Sequence, residues 1–153
     1  MRVWLAEGEA LTKARSRLAE LWGDPVAMRG RAWRFGDCEV LVAGDFAGLA
    51  AFCLDEKPIA ELVAIEAFAP RQGVGTALLD ALKARLAPDF AQLRLGTTND
   101  NLDALRFYQS RGGRLAALRP GAVDAARRLK PSIPPVGYYG LPIRDEIDVV
   151  FDL

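Results

Sequence analysis

Hydrophobic positions along the 153-residue chain recur with two different periods. Residues 2–7 (RVWLAE) alternate as a strand does, whereas residues 9–22 repeat Leu11, Ala14, Leu18, Leu21 and Trp22 at helical spacing before Gly23, Asp24 and Pro25 stop the helix. The stretch 26–36 follows neither period. Two apolar runs, 38–43 (CEVLVA) and 47–54 (AGLAAFCL), flank the turn Gly44-Asp45-Phe46, and a third, 59–68 (IAELVAIEAF), follows Asp55 to Pro58. Together they predict an antiparallel meander.

At Pro70 the pattern changes to a helical one, with Leu78, Leu79, Leu82 and Leu86 on one face and Pro88 as the stop. Residues 91–98 predict a strand and 101–111 a helix, capped by Asn or Asp and ended by Gly112-Gly113. Strand, glycine turn, helix and strand make a βαβ unit, so 59–68 and 91–98 are expected to be parallel with a right-handed crossover. Residues 113–119 predict a further strand, 121–130 a short helix and 147–153 a last strand, with a long loop between them. No repeat, low-complexity tract or linker interrupts the pattern, which predicts one α/β domain over residues 1–153.

Composition narrows the chemistry. Hydrophobic residues make up 51% of the chain and charged ones 26%, enough apolar surface for a sizeable core. The 20 basic and 20 acidic residues cancel, so no nucleic-acid partner is expected and any phosphate recognition must be local. No apolar run approaches a membrane-spanning length and residues 1–10 lack the core of a signal peptide, so a cytoplasmic protein without a membrane partner is expected. Cys38 and Cys53 sit in apolar runs and are expected to be buried thiols. The chain has no histidine, which excludes His-ligated zinc and His-activated nucleophiles. No metal is expected, and acid–base chemistry falls to carboxylates, Tyr, Lys or water.

The turn Arg71-Gln72-Gly73-Val74-Gly75 opens the second long helix. Its glycines permit left-handed backbone and close approach to a ligand, and the first N–H groups of a helix have no intrahelical acceptor. Such a turn suits an anion, each contact being worth roughly 0.3 to 1 kcal/mol. A dinucleotide fingerprint needs Gly or Ala where Leu78 stands, and a P-loop needs a Gly-Lys pair that the chain lacks. Gly-x-Gly alone serves a tight turn equally well.

The turn gains meaning from a second motif. Gly73 and Gly75, followed after a strand by Asn101, Ala104, Phe107, Tyr108 and Gly112 or Gly113, resemble the GNAT superfamily of acyl-CoA-dependent N-acetyltransferases. That family carries a Q/R-x-x-G-x-G/A turn after its fourth strand and an Asn-x-x-Ala-x-x-Phe-Tyr helix ending in Gly-Phe. Two positions depart from it: the first turn position is Pro70, with Arg71 one place later, and Gly-Phe is Gly112-Gly113. The motifs span about residues 38 to 119. The resemblance implies an α/β (α+β) domain with a mixed, mostly antiparallel sheet of about seven strands flanked by helices, whose central parallel pair splays to admit acetyl-CoA as co-substrate. It also implies a pyrophosphate on the N–H groups of Gln72, Gly73, Val74, Gly75 and Thr76 beside Arg71. The pantetheine arm is then expected to pair with Ala67 and Phe68 as an added strand. Asn99, Asn101, Ala104 and Phe107 are expected to line the other wall, with core packing the plainer role for Phe107, and Tyr108 resembles the family's general acid.

An amine with a pKa of about 10.4 lies roughly 3.4 units above pH 7, a deficit of about 4.6 kcal/mol, so a transferase must assist deprotonation. Glu61 and Glu66 are the candidate bases, and five residues apart on an uninterrupted strand they face opposite ways. Glu66, nearer the turn, is preferred, and the alternative is that both are strand-edge surface carboxylates. Proton transfer from a phenol to a thiolate is uphill by roughly 2 kcal/mol at reference pKa values. Tyr108 is therefore expected to hydrogen-bond the departing thiolate, or to have its pKa lowered by the site. The expected reaction is direct attack by a primary amine, small-molecule or peptide, on acetyl-CoA in a ternary complex. The alternative is a noncatalytic acyl-CoA-binding sensor or interaction module with the same fold. Loop 131–146, with Tyr138 and Tyr139, is expected either to cover the acceptor or to serve as a structural or dimer contact, since family members often form homodimers. Asp145, Glu146 and Asp148 either attract a cationic amine or are solvated strand-end charges.

Overall fold

Every predicted element forms, its ends shifted by at most two residues from the sequence expectation. The computed structural model describes residues 1–69 and 71–153, and the first position of the turn motif, Pro70, lies outside the described residues. Strand β1 (Val3–Leu5) and helix α1 (Gly8–Trp22) come first. The stretch that followed neither period is a hairpin of β2 (Val26–Met28) and β3 (Arg31–Trp33), followed by a single 3-10 turn at Phe35–Asp37. Its two turn residues, Arg29 and Gly30, both have left-handed backbone (φ 53° and 69°), which suits a tight hairpin.

The meander follows as β4 (Glu39–Ala43), β5 (Gly48–Glu56) and β6 (Ile59–Ala67). Helix α2 (Val74–Leu86) crosses to β7 (Gln92–Thr98), and then come α3 (Leu102–Ser110), β8 (Arg114–Arg119), α4 (Ala122–Leu129) and β9 (Glu146–Asp152). Seven strands form one sheet in the order β1-β4-β5-β6-β7-β9-β8, with β6 and β7 as its parallel pair. That pair is joined only at Ile59–Gln92, Ala60–Leu93 and Glu61–Arg94. Beyond Glu61 the two strands part, as expected.

Each face of the sheet has its own core. Leu78, Leu79, Leu82 and Leu86 of α2 pack with Tyr108 of α3 over Ala50, Phe52, Leu62, Leu93 and Phe151. Fully burying each such leucine contributes roughly 1.5–3 kcal/mol. On the other face Ala14 and Leu18 of α1 pack with Met28 and Trp33 of the hairpin over Val40, Val42, Leu49 and Ala51. Cys38 and Cys53 are buried there as free thiols, their Sγ atoms 3.2 Å apart.

Buried ion pairs clamp the hairpin to the sheet. The Arg29 guanidinium pairs with Glu61 on β6 and with Asp148 on β9 (2.7 Å), and its backbone N–H donates to Glu146 at 3.1 Å. Arg119 on β8 holds both acids from the other side, at 3.0 Å to Glu146 and 2.7 Å to Asp148. So Glu146 and Asp148 are neither solvated strand-end charges nor free to attract an amine. The clamp also sets Met28 against Gly96 of β7, where any β-carbon would collide with the thioether.

Burial opposes ionisation of Asp148, but Arg119 and Arg29 outweigh it and hold the carboxyl below its usual range. Its stabilising contribution is therefore present above the unfolded value of about 3.9 and is lost as pH falls through the lower folded value. Asp148→Asn is predicted to cost about 3 kcal/mol at neutral pH by leaving buried guanidiniums short of a partner. In urea melts taken from about pH 6 down to about pH 2, the difference from the native protein should shrink. A constant difference contradicts this reading.

Candidate functional site

Where β6 and β7 part, a cleft of about 860 Å³ opens through the sheet. Its walls include β6 from Glu61 to Ala67, β7 from Leu95 to Thr98 and the start of α3. On the α2–α3 side it is reached past Arg71, Gly75 and Phe107, and on the hairpin side past Trp22, Met28 and Lys130. The cleft thus joins the two faces.

The glycines of the turn have different tasks. Gly73 is the N-cap of α2 in left-handed conformation (φ 72°), offers no side-chain cap, and accepts the first intrahelical bond from Ala77 N–H at 2.9 Å. The N–H groups of Val74, Gly75 and Thr76 therefore have no intrahelical acceptor. Gly75 has ordinary helical backbone and is small for another reason: a β-carbon there would stand 3.1 Å from Cζ of Phe107. The Val74 side chain is buried in the core, so only its backbone can face an anion. Arg71 lines the cleft mouth, and Gln72 is exposed beside it.

Arg111, the C-cap of α3, is a residue the sequence reading missed. Its Nε donates to Thr76 Oγ1 at 2.7 Å, and its guanidinium stacks 3.9 Å above the Phe107 ring. Free helix N–H groups with two nearby guanidiniums fit a pyrophosphate. No motif position marks Arg111, and only the meeting of α3's end with α2's start reveals it.

Most of the expected wall is assembled. Ala67, Asn101, Ala104 and Phe107 line the cleft, and Asn101 caps α3 by accepting from Ala104 N–H at 3.3 Å. Asn99 is a correction. Its amide oxygen accepts from Arg144 and Asp145 N–H groups at 2.9 and 3.0 Å, and its amide nitrogen donates to Pro142, so it fastens the following loop instead of lining the cleft. Phe68 needs a smaller one: its N–H is taken by Ala47 at 2.8 Å and its ring lies under Arg17 on the α1 face. Only its carbonyl is left for strand addition.

The two glutamates also differ from expectation. Register across β5 runs Leu49–Glu66, Ala51–Ala64 and Cys53–Glu61, with a bulge at Val63 between. The extra residue puts Glu61 and Glu66 on the same face, because directly paired residues share a face. Glu61 is buried and gripped by Arg29 on one carboxylate oxygen and by Arg94 on the other (2.9 Å), and two guanidiniums so placed stabilise the charged form and make it a poor acceptor for a substrate proton. Glu66 has no cationic partner among the described residues. Burial pushes its carboxyl up, partly offset by the nearby Trp22 indole, whose N–H makes no hydrogen bond of ordinary geometry.

Tyr108 reaches the cleft from the opposite core, edge-on to Phe107 and Phe151. Burial raises its phenol pKa, and the charge of Glu66 raises it further. This direction is opposite to a phenol pKa lowered by the site, one of the two expectations for Tyr108. The long loop is strapped down: Arg127 donates to the carbonyls of Ile133, Pro134 and Ile143, and Asp100 accepts from Tyr138 N–H. Tyr138 borders the cleft, while Tyr139 is exposed and donates to Asp103.

Glu61→Gln is predicted to destabilise the fold by about 3 kcal/mol in urea unfolding, since it leaves two guanidiniums short of charge. Glu66→Gln should change stability by less than about 1 kcal/mol. Equal effects would mean that the glutamates are not divided between structure and site in this way.

Comparison with known proteins agrees with this architecture. The Bacillus subtilis protein YdhI, uncharacterised, is 38% identical over 135 residues, covering 84% of each chain. A GNAT family acetyltransferase from Elizabethkingia anophelis, solved with acetyl-CoA bound, superposes with a TM-score of 0.74 at 17% identity over 99% of this chain and 97% of that one. A Bacillus subtilis acetyltransferase in complex with CoA gives a TM-score of 0.67 at 21% identity, over 99% and 98%. The sequence profile of the Acetyltransferase (GNAT) family matches residues 10–113, and the chain belongs to that family.

Proposed function

We propose that the protein transfers acetyl from acetyl-CoA to a primary amine by direct attack in a ternary complex. Glu66 takes the amine proton, directly or through water, and Tyr108 donates a hydrogen bond to the departing sulfur. The observation that carries this is the meeting of Glu66 and Tyr108 from opposite cores in one cleft, close enough for the carboxylate charge to act on the phenol. The α2 N-terminus, Arg71 and Arg111 suit the CoA phosphates, and the free edge of β6 up to Ala67 suits the acyl arm as an added strand. The amine then approaches from the hairpin side.

The environments match these tasks. A carboxyl raised by burial is a better base near neutral pH than an exposed one. A phenol held protonated by burial is a hydrogen-bond donor throughout the neutral range, and full transfer of its proton to a thiolate is more uphill than at reference pKa values. The fold also binds CoA in the two solved relatives described above.

Tyr108→Phe is predicted to lower kcat by about 10²-fold while leaving acetyl-CoA affinity in calorimetry unchanged. Unchanged kcat would remove Tyr108 from the mechanism. For the native protein kcat/KM should fall as pH drops through the raised Glu66 pKa, so the acid limb lies above the ordinary carboxylate range. Glu66→Gln should be slower and lose that limb, and a persisting limb would exclude Glu66 as the base.

A further inference from the structure

The acceptor end of the cleft is apolar. On the hairpin side its walls are Trp22, Val26 and Met28, with Ile133 and Ile143 of the strapped loop facing them. The charges that line the cleft are nearly all committed. Glu61 and Glu146 are neutralised by Arg29, Arg94 and Arg119. Asp100 accepts from the Thr98 hydroxyl (2.5 Å) and from Tyr138 N–H (3.0 Å), and Asp103 from the Tyr139 hydroxyl (2.6 Å). The Lys130 ammonium donates to the Trp22 carbonyl at 2.6 Å and is attracted by Asp24. Glu66 alone among these carboxylates has neither a cation nor an ordinary hydrogen bond among the described residues, and the neighbouring Trp22 N–H is buried without a partner.

Resting on the acetyl-transfer reading, we propose that the acceptor is a primary amine on an uncharged apolar body of aryl or branched-alkyl size. Its ammonium head is drawn to Glu66, and its body sits among Trp22, Val26, Met28, Ile133 and Ile143. At the apolar end, among the described residues, each lining carboxylate other than Glu66 already accepts an ion pair or a hydrogen bond and the Lys130 ammonium is held by the Trp22 carbonyl, while the unpaired Arg71 stands at the opposite, α2 end of the cleft. Seating a second ammonium or a substrate carboxylate at the apolar end means burying it unpaired, which is costly. Polyamines and α-amino acids are therefore poor acceptors, while an aryl or alkyl body gains by leaving water.

The test is an amine panel with acetyl-CoA and the full chain, read by release of the CoA thiol. 2-Phenylethylamine and isopentylamine are expected to exceed putrescine and phenylalanine in kcat/KM by at least about tenfold. Ile133→Asp, on a half-buried loop position, should shift the ratio of 2-phenylethylamine to putrescine towards putrescine by about tenfold. Leu21→Glu, at a cleft residue that is 50% exposed, should shift it the same way if the first variant folds poorly. Putrescine or phenylalanine equalling the apolar amines, or a ratio unmoved in both variants, overturns the proposal. So does acetyl-CoA binding without turnover of any apolar amine, which leaves the family's cofactor site standing. Failure to bind acetyl-CoA at all removes the transfer reading itself, and the acceptor class with it.

Discussion

Glu61 stands at the last rung that joins the parallel strands, and the ion cluster around it is the constraint on which the rest of the site depends. Its carboxylate holds Arg94 of the neighbouring strand and Arg29 of the hairpin turn. Arg29 continues the cluster to Asp148, and Arg119 closes it from the sheet edge. A network of this kind, largely buried, stabilises only while every member is paired, so its geometry is tightly specified. It closes the β6–β7 fork at the point where pairing ends. It also fixes a three-residue-strand hairpin that has little core of its own.

The consequences reach the chemistry through backbone geometry. One residue beyond Leu62, the Val63 bulge turns β6 so that Glu66 faces the hairpin side with Glu61. The hairpin, clamped by Arg29, lays Met28 against Gly96 and so lines one end of the fork. From the other core come the α2 N-terminus, Arg111 and Tyr108, so a group of donors that suits an anion and an apolar end open into the same gap from opposite faces. In the proposed reaction, the two substrates would approach from opposite faces and meet between Glu66 and Tyr108.

The sequence carried those features that depend on local pattern. The leucine spacing of α2, the glycine turn and the two flanking apolar runs together specify a parallel pair, and Asn101 to Tyr108 specify the helix that faces it. The hairpin was not legible because strands of three residues hold too few positions to show a period, and Arg29 occupies a left-handed position where Asn is usual. The facing of Glu61 and Glu66 was misread because a bulge leaves no mark in side-chain alternation until the partner strand's register is known. The contact of Arg111 with Thr76, those of Asn99 with the following loop and those of the buried acids of β9 with their arginines join residues 35, 43 or more and 27 or more positions apart, respectively. Such contacts belong to tertiary packing, and no spacing along the chain expresses them.

The central claim is that the fork and the α2 N-terminus form a site for an acyl-CoA. The most direct measurement is a calorimetric titration of the purified protein with acetyl-CoA, with ATP and NADH as phosphate-bearing controls. Saturable one-to-one binding of acetyl-CoA, with little or no heat from the controls, is the predicted result. No heat and no thermal stabilisation by acetyl-CoA would contradict the account, because the glycine turn would then only reverse the chain.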